Sequence, residues 1–401
     1  MAYQNVGTPR FYIDYFTYWQ SIGLIEAIVN NGGDFSGNLL GLDPVTPFTI
    51  SGEPNASGDF IFGVDLKDII PLRALDSINY VGLLGHTLGD LYTTDATGVA
   101  VRMQTAHKET GAIGEWGTQE YIGFVSQMLL DDHDIINSAY YGEAGHLGVE
   151  RATIFEDNNS GFSLFKAKHN QFVTTGETPS HNINRFYIEI KQFDAFTSGV
   201  ITDYNEITNA LWNLNCLTMG HFYDMPVSPD LDVKMEIEFD GYDTAETLGG
   251  STLTNIRYEG TPKWGNNNAW EIGESNPYYK RRGRRSWDLK FSYISDEDIF
   301  SSNYSSNNWL SNTTDNSDYN SDDTETLENG DVFSYTLADD DSFVAKVLNF
   351  VGNGQRFIFQ PDNTNNNPDQ FAICVLDQDS LSISQKAFKS YEIALKIREV
   401  W

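Results

Sequence analysis

The sequence predicts a mainly β protein with one or two short helices, and three observations lead there. Aromatic residues are abundant, with 25 Phe, 21 Tyr and 8 Trp in 401 positions, and such side chains suit a pleated, half-buried surface. Several segments alternate apolar and polar residues with a period of two, which turns one face of a strand inward and the other to water. Long helical periodicities are scarce, whereas Gly, Asn, Ser and Thr recur as turn formers.

In chain order, the first element is a short helix over Tyr15–Ile22, stopped by Gly23. Phe162–Phe165 and Arg185–Ile190 read as strands. Two prolines in Met225–Asp230 interrupt the pattern, so a boundary is placed there, separating residues 1–227 from residues 228–401. The clearest strand is Leu231–Phe239, where Leu231, Val233, Met235, Ile237 and Phe239 alternate with charged residues. Ser286–Tyr293 repeats the pattern, and so does Tyr391–Arg398 near the C-terminus. Between them, residues 301–331 form a polar insertion with seven acids and no Lys or Arg from Ser311 onward, which demands a solvated loop or arm. A second helix is expected over Phe343–Val351, with acids and Ser342 at its N-terminus and Gly352 as a C-cap.

The charge balance is 25 Lys+Arg against 57 Asp+Glu, a formal −32. Such a field repels free nucleic acid and anionic membranes, so neither is expected as a partner. No segment has the length and apolarity of a membrane span, and Met1–Val6 carries no secretory signal, so folding in the cytoplasm is expected. Cys216 and Cys374 read as buried thiols, the latter inside the apolar run Phe371–Leu376.

Against that acidity, Lys280, Arg281, Arg282, Arg284 and Arg285 form a sharp basic run. Two roles compete evenly: docking on acidic loops of a neighbouring copy through Arg–carboxylate forks, or neutralising acids of the same subunit. Trp264, Trp270, Tyr278 and Tyr279 lie in a Gly/Asn/Pro-rich region and are candidates for stacking on sugar rings, or for burial at a subunit contact. Asp318, Asn320 and Asp322 have the spacing that opens a calcium loop, but Asp323 replaces the turn glycine and Asn329 the bidentate Glu, so no metal is expected. His86 and His221 each follow a glycine, which suggests turn-stabilising hydrogen bonds at strand ends. No nucleophile elbow, zinc motif or phosphate loop occurs. The expectation is a protein without catalytic residues or cofactors.

Two segments carry a resemblance. Asn79–Leu88 and Leu217–Pro226 resemble the apolar strands, ending in Gly-His, of galactose-binding-like, discoidin-type jelly rolls found in phage tail proteins. Gly249–Leu253, Trp264-Gly265, Gly283–Tyr293, Phe357–Asp362, Pro368–Ala372 and Ile397–Trp401 are similar to virion structural proteins of tailed phages, and by analogy to the distal-tail family. The resemblance implies an N-terminal jelly-roll β-sandwich and a C-terminal assembly region. It further implies a structural subunit of a tail, baseplate or collar, located in the virion and partnered by its own copies and other virion proteins. The alternative it leaves open is an adhesin that attaches to a host-surface glycan.

Overall fold

The computed structural model describes residues 7–31, 33–43, 48–53, 60–71, 80–86, 98–107, 120–121, 126–129, 149–153, 161–167, 182–193, 195–197, 200–203, 210–239, 242–256, 263–264, 267–268, 283–300, 342–352, 354–365 and 370–400. Among these, strands dominate, as predicted. The first are β1 Arg10–Asp14, β2 Ile25–Asn31, β3 Asp34–Ser36, β4 Thr49–Gly52, β5 Phe60–Pro71, β6 Tyr80–His86, β7 Gly98–His107, β8 Glu120–Tyr121 and β9 Ser126–Leu129. There follow β10 Val149–Thr153, β11 Gly161–Ala167, β12 Asn182–Phe193, β13 Ala195–Thr197, β14 Val200–Asp203, β15 Ala210–Asp224, β16 Lys234–Glu238, β17 Tyr242–Glu246 and β18 Thr252–Ile256. The last are β19 Lys263–Trp264, β20 Asn267–Asn268, β21 Arg284–Ser295, β22 Phe357–Gln360, β23 Ala372–Leu376, β24 Ile383–Ala387 and β25 Ser390–Glu399. Helix α1 spans Tyr15–Ser21, α2 spans Asp296–Ile299, and a π-helical stretch over Val344–Leu348 runs into α3, Asn349–Val351.

A 13-stranded sheet follows the order β10-β11-β6-β15-β1-β22-β23-β25-β21-β16, with β3, β4 and β24 attached beside it. A six-stranded sheet contains β2, β5, β12, β7, β8 and β9. The two pack face to face. Phe60, Phe62, Val64, Phe186 and Ile188 of the smaller sheet share a core with Val81, Leu83, Leu217 and Met219 of the larger, and α1 adds Tyr15, Phe16 and Trp19. Each large apolar side chain removed from water contributes about 1.5–3 kcal/mol, so this layer is a main stabiliser.

The large sheet crosses the 227/228 boundary. Strand β1 pairs antiparallel with β15 on one side and with β22 on the other, Tyr12 meeting Phe222 and Ile358. Its alternation serves two cores. Phe11 and Ile13 enter a cluster with Trp287, Leu289, Phe291, Phe357, Ile393, Leu395 and Ile397, whereas Tyr12 points to the opposite face with Tyr80, Cys216, Ile358 and Phe371. Both cysteines are buried free thiols, as expected.

Local structure departs from expectation at three places. The strand expected over Leu231–Phe239 is regular only over Lys234–Glu238 and lies at the sheet's edge, where Ile237 remains 45% exposed and Phe239 71%. Alternation through Ser286–Tyr293 holds until a bulge between Phe291 and Ile294, where Tyr293 takes φ 68° and points into solvent. The helix over Phe343–Val351 is wound as π for most of its length, the N–H of Asn349 reaching back to the carbonyl of Val344. Its Ser342 Oγ does accept from the Ala345 amide at 3.3 Å. Gly352 is its C-cap, as expected, and stays right-handed at φ −59°.

The end of α1 follows the expected chemistry. Gly23 sits at φ +71°, its amide donates to Gln20 O at 3.1 Å, and Leu24 N donates to Trp19 O at 2.8 Å. These are the two bonds of a Schellman motif, closed by contact of Leu24 with the Trp19 cluster.

Candidate assembly surface

Buried polar side chains pin the sheet where β1 joins its two neighbours. Arg10 donates from Nε and Nη2 to the Asp224 carboxylate at 2.6 and 2.7 Å, a bidentate fork across the β1–β15 pair. The Tyr12 hydroxyl donates to Gln360 Oε1 at 2.8 Å, and Gln360 Nε2 donates to Asn365 O at 2.8 Å. Asp14 is buried at the N-terminus of α1. It accepts from Thr17 N at 2.8 Å and from the Thr17 hydroxyl, from Thr218 Oγ1 at 3.0 Å and from Met219 N at 3.2 Å. Burial pushes its carboxyl pKa up, and those donors pull against the rise.

His221 ties the same junction to the π-helical stretch. One ring nitrogen, Nε2, lies 2.6 Å from Lys346 O, a pure acceptor, so it carries the proton, while Nδ1 accepts from the Tyr15 hydroxyl at 2.9 Å. The residue lies inside β15 and not at a strand end, which corrects the sequence expectation. His86 does end β6 and is buried. Burial pushes His221 down to about 3 and His86 down to about 4, so both are neutral at ordinary pH.

At the far end of the large sheet, the basic run enters β21 through Gly283, whose φ of +77° turns the chain against Ile237 and Glu238 of β16. A Cβ there would stand 2.6 Å from Ile237 Cγ2 and 2.7 Å from Glu238 O, so only glycine fits. Arg285 then points inward. Its Nη2 donates to Glu399 Oε1 at 3.0 Å and to Phe371 O at 2.6 Å, its backbone N–H reaches Glu399 Oε2 at 3.0 Å, and its guanidinium lies 5.2 Å from the Trp287 ring. Of the two roles weighed for this residue, Arg285 takes the internal one, neutralising an acid of its own subunit. Arg284 is half-buried beside Glu238 in the β16–β21 register. Lys280, Arg281 and Arg282 lie outside the described residues.

Beyond that anchor the sheet stops at β16, which among the described residues pairs only with β21. Asp230 fixes the approach to this strand: its N–H donates to Lys290 O at 2.7 Å, and its carboxylate accepts from Ser292 Oγ at 2.7 Å. Met235 and Val233 lean partly on the core below. Lys234 and Glu236 form an exposed ion pair on the opposite, wet face. Apolar residues crowd the rim, with Leu231 fully exposed beside Ile237 and Phe239. The β17–β18 hairpin follows, exposed from Asp243 to Asn255, its Thr247–Ser251 turn closed by Thr247 N donating to Ser251 O at 2.9 Å. Leu248 at the tip is fully exposed and Leu253 is 60% exposed. Chemically, β16 offers main-chain groups that no other described strand pairs with, beside apolar side chains, and is suited to accept another strand.

Trp264 lies on the short β19 strand paired with β20, and its side chain is outside the described set. Trp270, Tyr278, Tyr279 and the Asp318–Asp322 loop also fall outside it. Among the described residues no group of three His, Cys, Asp or Glu side chains is arranged to hold a metal ion, and no helix is long and apolar enough to cross a membrane.

Comparison with family models, with curated proteins and with solved structures finds no match to this chain. The functional reading therefore rests on the geometry of the edge and its anchor.

Proposed function

We propose that this chain is a non-enzymatic structural subunit that works by contact, assembling with its own copies and other proteins in the tail, baseplate or collar of a bacterial virus. The observation that carries the assembly part is the apolar edge at β16, which among the described residues pairs only with β21. A sheet edge flanked by exposed Ile, Leu and Phe is an aggregation hazard in a protein that acts alone, and an asset in one that is covered by a neighbour. The half-buried Arg10–Asp224 fork, the Asp14 network and the Arg285–Glu399 pair supply the rigid frame that such a contact needs. The viral part draws on the two segments that resemble jelly-roll strands. Within those segments Tyr80–Leu83 and Leu217–Gly220 lie side by side as antiparallel partners in the large sheet.

Purified particles from infected cells, probed with an antibody to this chain, test the reading. Labelling at the tail supports it. Protein found only as free monomer in the lysate and missing from purified particles overturns it, and saccharide-dependent binding on a glycan array would favour a host-attachment adhesin instead.

A further inference from the structure

We infer that the β16 edge docks on the β16 edge of a second copy of this chain, antiparallel, about a twofold axis through Met235. This deepens the assembly reading and rests on it. The argument is the self-complementarity of the strand. In that register Met235 faces its own copy and Val233, just before the strand, faces Ile237, so the apolar face of the strand meets the same face of its copy. On the other face Lys234 meets Glu236 twice, once from each side of the axis.

The only like-charged match is Asp232 with Glu238, and Glu238 is already neutralised within its own subunit. Arg398 donates to its Oε2 from Nε at 3.0 Å and from Nη2 at 2.8 Å. Shifting the axis by one residue, to Glu236, matches Met235 with Ile237 and Val233 with Phe239 but leaves Leu231 opposite Gly241, sets Glu236 against Glu236 and sends Lys234 to Glu238, which Arg398 already holds. Charge therefore selects the Met235 axis, while the alternation of the strand selects the face. A copy of the same chain fits better than an arbitrary partner because one segment supplies both halves of every match. The exposed state of Leu231, Ile237 and Phe239 in the single chain is what such a contact would bury. Isologous pairing of this kind closes on itself and yields dimers, the simplest unit from which a larger symmetric assembly is built.

The full chain is tested by sedimentation between about 1 and 100 µM. A dimer is expected for the wild type. Lys234→Glu should weaken it about tenfold or more, because two attractions become two repulsions, and Lys234→Glu with Glu236→Lys should restore it to within about threefold. Both side chains are exposed, so folding is not at risk, and unchanged melting of the monomers verifies this. A second measurement reads the register directly. Met235→Cys brings two thiols onto facing positions about 4.5–5.5 Å apart between Cα atoms and should cross-link under mild oxidation. Ile237→Cys, offset from its own copy by four residues or about 13 Å along the strand, should not. The native Cys216 and Cys374 are buried and do not compete. A monomeric wild type, a dimer indifferent to the charge swap, or cross-linking at 237 in place of 235 each overturns the inference. If it fails while the chain is still found in particles, only the edge contact is lost and the assembly reading stands. Absence from particles removes the latter.

Discussion

His221 stands between the Tyr15 hydroxyl and the Lys346 carbonyl with no room for a second proton, and this makes stability depend on pH. Burial lowers its pKa to about 3, and that of His86 to about 4, from an ordinary 6.5. Below pH 6.5 the unfolded chain takes up protons that the folded chain refuses. The stability these residues support is therefore full above 6.5 and declines as the pH falls toward 4 and 3. Each accounts for about 2 kcal/mol between pH 7 and pH 5. Asp14 acts in the opposite sense, its raised pKa giving stability present below 3.8 and lost as the pH rises through the folded value. Urea unfolding of His221→Gln should show the pH 7 to pH 5 difference reduced by about 2 kcal/mol, and an unchanged difference would contradict the neutral-histidine assignment. Glu399 offers a second test at this scale. Replacing it with Ala strands the Arg285 guanidinium in the core and should cost about 3–5 kcal/mol in the same assay. Arg285 and Glu399 share the inward phase of Trp287 and Leu289 and of Leu395 and Ile397, so their burial was legible in the alternation. Their pairing was not, because nothing local in a sequence says which strands become neighbours.

Elements carry their own lessons about what a pattern can say. Leu231–Phe239, Ser286–Tyr293 and Tyr391–Arg398 share one alternation, yet the last two form the buried interior of the sheet and the first its exposed rim. Period two reports a face, while burial also needs a layer on top and a strand on each side. The end of α1 was legible for the opposite reason, since a Schellman cap is a local motif whose glycine must reach φ > 0. Gly23→Ala tests it. No atom lies within 4 Å of an added Cβ, so the cost is conformational alone, about 1 kcal/mol, read as a lower melting temperature. Gly352 also caps its helix, as the sequence suggested, though in the right-handed region and so without the need for glycine that Gly23 shows.

At the scale of the whole molecule, β1 decides how the parts hold together. It is central in the large sheet, it lends Phe11 and Ile13 to the core of the C-terminal strands, and it is covalently part of the N-terminal segment. Residues 228–401 expressed alone would leave an unpaired edge on β22 and a core short of the buried side chains of Phe11, Ile13 and Met225. Cooperative thermal unfolding is expected for the full chain and to be lost in that fragment, and a sharp transition in the fragment would show that β1 is dispensable. The mainly β class was legible from composition and alternation, whereas this sharing of one sheet was not, because the boundary near Pro226 and Pro229 is a local feature and sheet order is a global one. There is also a consequence for biosynthesis. Tyr12 and its partner Gln360 are 348 positions apart, so at ordinary ribosomal speed roughly 20–70 s separate the emergence of the two. Throughout that interval the nascent chain presents one flank of its central strand with nothing to zip onto it, which makes the wait for the last strands a window for chaperone capture.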